Sequence, residues 1–203
     1  VFGAYLDILS VSLLAIILLA VLRRWVFTAN RLRFDLTQKS EAAIILALIA
    51  LLMITTILAE AFYVASANTH SHSFIGNVLG DWLVNIGISD TSSTYVYEAS
   101  WWIHLVIILG FSVYIPISKH VHLVGAPIAF VTRQLGAKGT LTTITDFEEA
   151  ESFGASRMKD FNQKQLLDAF ACAVCGRCTD VCPANLTGKM LSPMHVVQGM
   201  RYH

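Results

Sequence analysis

Long apolar runs separated by short polar breaks set the plan of the first part of this chain. Residues 5–27, 42–65 and 95–117 each match the roughly 20 residues that a helix needs to cross about 30 Å of hydrocarbon. Charge is scarce within them, with Asp7 near the start of the first run and Glu60 near the end of the second. Helices buried in a soluble core are the alternative, and both the run length and the scarcity of charge argue against it. Three spanning helices are therefore predicted. Between the second and third, FIGNVLGDWLVNIGI over residues 74–88 repeats apolar positions at helical spacing. It predicts a short helix on the membrane face, a packed connection without chemistry of its own. Past the third run the pattern changes to an interfacial helix over 126–135 and a polar linker rich in Thr, Gly and Glu over 136–156. A small globular segment begins near Met158, and its helix at 163–170 runs into a cysteine cluster. The closing MHVVQGMRYH reads as the first turns of another helix.

Composition strengthens the membrane reading. Of 203 residues, 55% are hydrophobic and 14% charged, against roughly a quarter charged in an ordinary soluble domain. The 14 basic and 14 acidic residues balance, so no overall field attracts nucleic acid and the placement of charge carries the information. Arg23, Arg24, Arg31, Arg33 and Lys39 follow the start of the first run, the other basic residues follow the third, and residues 66–94 contain none. Because cytoplasmic loops collect Lys and Arg, the chain is expected to thread out to in, in to out, and out to in. That makes it a multi-pass protein of the cytoplasmic (inner) membrane with its cysteine segment on the cytoplasmic side, where thiols stay reduced.

The four cysteines lie between Cys172 and Cys182, too close together for a disulfide framework that staples distant loops. Cys172-x2-Cys175-x2-Cys178-x3-Cys182-Pro183 is the bacterial ferredoxin run for a [4Fe–4S] cluster. Zinc is the alternative, but zinc sites usually come as two separated ligand pairs. Cys182 either closes this cluster or serves a second one, as the fourth cysteine does in two-cluster proteins. Gly176 is expected to allow a tight turn, and Arg177 either offsets cluster charge or is simply solvated. The resulting fold class is all-α, a transmembrane helix bundle followed by a small helical ferredoxin-like segment. Its parts are a membrane region over 1–125, an interfacial helix and linker over 126–157, and an iron–sulfur segment over 158–203.

The stretch CAVCGRCTDVCPANLTGKMLSPMHVV resembles the first cluster motif of the heterodisulfide-reductase-related iron–sulfur proteins, with Gly188, Lys189, Leu191, Ser192 and Pro193 matching that pattern. The resemblance implies a second cysteine motif some tens of residues further on, which this sequence lacks.

His104 and His122 lie near opposite ends of the third run. On one unbroken helix their separation is about five full turns and about 27 Å of rise, which puts both imidazoles on one face. A lone histidine at such a depth is more often an interfacial residue bonded to water. Two in register beside an iron–sulfur motif favour axial ligation of two haems stacked across a bilayer. His120 faces another way and is the alternative for the inner site, because Pro116 can bend the helix and blur the register.

WIHLVIILGFSVYIPISKHVHLVGAPIAFVTRQ is also similar to the last transmembrane helix of the gamma subunit of respiratory nitrate reductase, a di-haem b-type cytochrome that exchanges electrons with quinol. Matching features are His104, Gly110, Pro116, Ser118, Lys119, His122, Pro127 and the pair Thr132-Arg133. The family's two ligands on that helix fall on His104 and His122. Its other two come from an earlier helix, yet residues 5–27 and 42–65 contain no histidine. His70 or His72 could meet His104 at the outer haem, and nothing comparable remains for His122, since His195 belongs to the cluster segment. The missing ligands and the start at Val1 without Met lead to the expectation of a longer polypeptide, with helices before Val1.

Together the two regions resemble membrane quinone reductases of the electron-transfer flavoprotein:menaquinone oxidoreductase type. That resemblance implies a soluble flavoprotein or other redox subunit as cytoplasmic partner. Electrons would pass through the [4Fe–4S] cluster and two b haems to a quinone near the outer face, in a complex embedded in the lipid bilayer. The reverse direction is equally compatible. Glu60 is a candidate for quinone proton transfer, or else a carboxylate that snorkels or pairs with a neighbouring helix. Asp7 and Asp81 are expected to be solvated, Trp101 and Trp102 to form an aromatic belt, and Phe111 and Tyr114 to pack or line a quinone pocket. Two alternatives stand beside this reading: a non-catalytic anchor and relay subunit of a larger respiratory complex, and a membrane-tethered iron–sulfur redox sensor without haem.

Overall fold

A computed structural model describes residues 2–27, 36–67, 69–88, 90–133, 135–136 and 157–202. Among these residues every regular element is helical. The chain divides into two compact units, Val1–Tyr114 and Ile115–His203.

In the first unit, α1 (Phe2–Val21) is prolonged by a π-helical turn at Leu22–Val26, and α2 (Leu36–Ala67), α3 (Phe74–Asn85) and α4 (Asp90–Ile117) follow. Three helical stretches, Phe2–Val26, Lys39–Ala67 and Asp90–Ile117, are long and apolar enough to cross a membrane. They begin three to five residues before the apolar runs read from sequence, and the second also ends two residues later. Little of their apolar surface is shielded by the protein itself: 11%, 17% and 6% of the three apolar windows is buried.

What packing there is concentrates between α2 and α3. Gly76 and Gly80 lie one turn apart on α3, and a Cβ on Gly80 would sit 2.6 Å from Val64 Cγ1 and 3.0 Å from the Ala61 carbonyl oxygen. Small residues at this spacing let two helix backbones approach closely without apolar bulk between them. Ala61, Ala65 and Leu83 form the buried cluster here, flanked by Phe62, Leu79 and Ile88.

The start of α3 corrects one expectation. Asp7 is not solvated but 4% exposed. Ser73, the N-cap of α3, donates its hydroxyl to both Asp7 carboxylate oxygens at 2.8 and 3.0 Å, and the Ile75 N–H donates to Asp7 Oδ2 at 3.0 Å. The Ser73 oxygen in turn accepts the Gly76 N–H at 2.8 Å. The cause is the set of unpaired N–H groups at the head of a helix, which attract a carboxylate; nothing in the local sequence announces that α1 supplies it. Asp81, by contrast, is exposed as expected.

In the second unit a further expectation changes. The helix does not run unbroken to His122. It ends at Ile117, Ser118 is extended (φ −99°, ψ 170°), and a 3-10 turn over Lys119–Val121 leads into α5 (His122–Val131). Pro116 supplies no N–H to the last turn of α4. Ser118 then starts the next element by accepting the His120 N–H on its Oγ at 3.1 Å. The five-turn register between His104 and His122 therefore has no continuous helix beneath it, and the interfacial helix begins at His122 rather than at residue 126.

The linker expected over 136–156 lies almost wholly outside the described residues. Beyond it α6 (Gln163–Phe170) coincides with the helix read from sequence. Its start is a reciprocal cap: Asn162 Oδ1 accepts the Gln165 N–H at 2.8 Å, and Gln165 Oε1 accepts the Asn162 N–H at 2.9 Å. The ion pair Lys164–Asp168, one turn apart, supports its exposed face. Two single-turn helices, α7 (Arg177–Asp180) and α8 (Pro183–Leu186), and then α9 (Pro193–Tyr202), complete the unit. α6 packs on α5, and α9 packs on α6 and α7.

Candidate functional site

The cysteine loop starts where α6 ends. Cys172 donates its N–H to the Ala169 carbonyl at 3.4 Å, and all four thiols are free, with Cys175 and Cys178 exposed. Two residues between the ligands take left-handed backbone, Val174 at φ 53° and Gly176 at φ 73°. At Gly176 this is free of steric cost. At the β-branched Val174 it is a true outlier that costs of order 1–3 kcal/mol and persists only where its surroundings over-determine it. Val174 is 7% exposed, and its N–H points to Cys172 Sγ at 3.4 Å. The strained turn therefore aims a backbone donor at the Cys172 sulfur, an arrangement that would favour the thiolate form.

The remaining two cysteines are set by short helices. Gly176 caps α7, its carbonyl accepting the N–H groups of Thr179 and Asp180, both at 3.1 Å, and Cys178 rides on that turn. Cys182 caps α8, where Pro183 at the first position is pre-shaped for a helix start. The downstream Leu191-Ser192-Pro193 closes the loop: Thr179 and Ser192 share a hydroxyl hydrogen bond of 2.8 Å, and Asn185 Nδ2 donates to the Leu191 carbonyl at 3.2 Å.

Among the described residues no three of His, Cys, Asp or Glu converge on a point that one metal ion could occupy. A cubane takes its thiolates one per iron at separate corners, so convergence is not its requirement. Four free thiols on a turning loop with an N–H aimed at sulfur fit such a cluster.

In the same unit His120 and His122 lie edge to face with ring centroids 5.5 Å apart. Burial, His122 and Lys119 together hold the His120 imidazole below its usual pKa, which favours the neutral form. His122 Nδ1 lies 2.7 Å from the Lys119 carbonyl oxygen. A carbonyl only accepts, so Nδ1 carries the proton and Nε2 keeps the lone pair that a metal would use.

In the first unit α2 and α4 border an open cavity of about 460 Å³ lined by Thr55, Thr56, Ala59, Glu60, Tyr63, Tyr97, Trp101 and His104. Thr55, 7% exposed, lies with its Oγ1 2.7 Å from His104 Nδ1 and 2.8 and 3.0 Å from the Leu51 and Leu52 carbonyls. Its single hydroxyl proton goes to a carbonyl, so the oxygen accepts from His104 Nδ1–H. His104 thus also keeps its lone pair on Nε2. Glu60 joins His104 in this cavity, and the Ser71 hydroxyl donates to Glu60 Oε2 at 3.3 Å. Tyr63 and Tyr97, with ring centroids 5.6 Å apart, line the cavity where sequence reasoning had offered Phe111 and Tyr114. Their spacing on two different helices carried no signal in either helix alone.

The other candidates fall elsewhere. His70 lines a separate cleft of about 250 Å³ with Thr69, Asp81 and Asn85, and His72 is exposed outside the His104 cavity. Neither lines the His104 cavity. His195 is exposed on α9.

No protein-family model and no solved structure matches the chain. Curated relatives do. Over its whole length the chain is 35% identical to part of a probable iron-sulfur-binding oxidoreductase, FadF, of Bacillus subtilis. It is 36% identical over 51% of its residues to an EtfAB:quinone oxidoreductase of Syntrophomonas wolfei, and 40% identical over 32% to a probable membrane-anchored ferredoxin of Chromohalobacter salexigens. The chain spans 28%, 14% and 10% of the lengths of these three proteins. The chain is thus similar to proteins named as an iron–sulfur-binding oxidoreductase and a membrane-anchored ferredoxin, and it carries free cysteines in a ferredoxin run and three apolar helices.

Proposed function

We propose that this chain is the membrane and first-cluster portion of a quinone-linked electron-transfer oxidoreductase. Cys172, Cys175, Cys178 and Cys182 would hold a [4Fe–4S] cluster, and His122 and His104 would each offer Nε2 to a haem b, with His120 the alternative for the first. The cluster and haems would supply one-electron carriers that a side chain cannot. The chain's own residues bind and orient them. Val174 directs an N–H at the Cys172 sulfur, and the Lys119 carbonyl and Thr55 fix the tautomers of the two histidines. Glu60, held by Ser71 beside His104 and two tyrosines, is suited to passing a proton to or from a quinone in the α2–α4 cavity.

The observation that carries this reading is the cysteine loop, whose backbone turns and caps serve ligation, on a chain with three helices able to span a lipid bilayer. Similarity to a protein named EtfAB:quinone oxidoreductase favours a quinone as acceptor and an electron-transfer flavoprotein as donor. By the distribution of Lys and Arg, the cluster lies on the cytoplasmic side of the inner membrane. A non-catalytic relay subunit uses the same residues, and a sensor without haem does not.

The test is a purified membrane preparation with iron, acid-labile sulfide and haem measured per chain, and a reduced-minus-oxidised optical spectrum. A cubane together with b-haem bands that quinol perturbs is expected. A cluster without haem would leave only the tethered iron–sulfur protein, and absence of both would end the proposal.

A further inference from the structure

α5 approaches the cysteine loop more closely than any side chain would allow. Gly125 is buried on α5, and a Cβ there would sit 2.8 Å from the Phe170 carbonyl oxygen, 2.9 Å from the Phe170 carbonyl carbon and 3.2 Å from the Ala171 nitrogen. That peptide joins Phe170 to Ala171, the residue before Cys172. Contacts under 3.0 Å at a Cβ force a shift, and here the obstacle is backbone, which cannot swing aside as a side chain tip can. Gly125 and His122 stand three residues apart on α5, so they share one side of that helix.

A second contact reinforces the first. Arg201 on α9 donates from Nη2 to the Ser118 carbonyl at 2.5 Å, across the break that precedes the His120–His122 turn. Its guanidinium also lies over the Phe170 ring, 5.9 Å from the centroid. Phe170 is thus held between Gly125, through its backbone, and Arg201, through its ring.

We infer that Gly125 and Arg201 are positioning residues that seat the Cys172 end of the cluster loop against the helix bearing His122, so that one electron can pass between the two centres. This rests on the reading of His122 as a haem ligand. In each transfer the reduced cluster loses one electron and the ferric haem iron gains it, with no bond made and no proton moved. The cluster is replenished by a reduced flavoprotein, or by dithionite in the test.

The experiment uses the protein in detergent with its cofactors loaded. Gly125→Ala and Arg201→Lys are compared with wild type and with Gly199→Ala, a helical glycine whose added Cβ meets nothing within 4 Å. Iron and haem content establish that each variant is assembled. The relaxation rate of the reduced cluster's EPR signal in the presence of oxidised haem reports their separation without any turnover, and stopped-flow absorbance reports haem reduction after the cluster is reduced.

Gly125→Ala is expected to weaken the magnetic interaction and slow haem reduction severalfold, since both fall steeply as the two centres separate. Arg201→Lys should do the same to a lesser degree, and Gly199→Ala should match wild type. Loaded variants with unchanged relaxation and rate would overturn the inference and leave the functional reading intact. Wild type with a cluster but no haem would overturn both, and the optical spectrum identifies that case at the outset. If Gly125→Ala fails to assemble, Arg201→Lys decides on the same two measurements.

Discussion

Ser73 and Asp7 stand 66 positions apart and meet in a hydrogen bond of 2.8 Å that fastens α3 to α1. Replacing Asp7 by Ala leaves the Ser73 hydroxyl and the Ile75 N–H without their acceptor and should cost about 2–3 kcal/mol. Asp7→Asn, which keeps one acceptor oxygen, should cost less. Thermal unfolding in detergent, followed by circular dichroism, checks both, and equal stability of Asp7→Ala and wild type would refute the assignment.

Thr55 governs which nitrogen of His104 is available. Thr55→Val removes the acceptor for Nδ1–H, and loss of such an outer partner typically weakens metal binding by about 10–100-fold. Haem titration monitored by absorbance should show one of two sites weakened by a factor in that range, with Thr55→Ser near wild type. Two unaffected sites would separate Thr55 from haem binding.

The four cysteines are predicted to be unequal. Cys172→Ser, Cys175→Ser and Cys178→Ser should each remove most of the iron and sulfide and the visible absorbance of the cluster. Cys182→Ser distinguishes two arrangements. Loss of iron places Cys182 on this cluster, whereas full retention of this cluster's EPR signal assigns Cys182 to another.

At Gly176, with φ 73°, an added Cβ makes the left-handed turn cost about 1–2 kcal/mol. Gly176→Ala should therefore shed its cluster faster than wild type when challenged with an iron chelator, which is read from the decay of cluster absorbance. An unchanged rate would mean that this turn does not shape the ligand loop.

Several features were legible in the sequence because they are local. The three spans follow from run length, the helix at 163–170 reads as leading into the cysteines, and the Gly176 turn follows from glycine's freedom. Others were not, because they depend on pairs far apart in sequence or on backbone that propensity misjudges. Asp7 read as solvated since its partner Ser73 lies on another helix. The left-handed Val174 goes against the preference of a β-branched residue. His104 and His122 read as one face of a single helix until Pro116 and Ser118 were seen to end it. The His104 cavity gathers Glu60, Tyr63 and Tyr97 across α2 and α4, and no periodicity in either helix points to that meeting.

The slight shielding of the three spans has a mechanical consequence. Inside lipid, pressing one oily flank against another gains little, because the acyl chains are just as oily. Among the described residues, orientation of these rods draws on the packing of α1 on α2 and on a few rivets: the Asp7–Ser73 bond, the Thr55–His104 bond, and the glycine seam where α3 lies on α2. Pulling one rivet would let a rod pivot while its own backbone ladder stays whole, so function could be lost in a protein that still measures as fully helical.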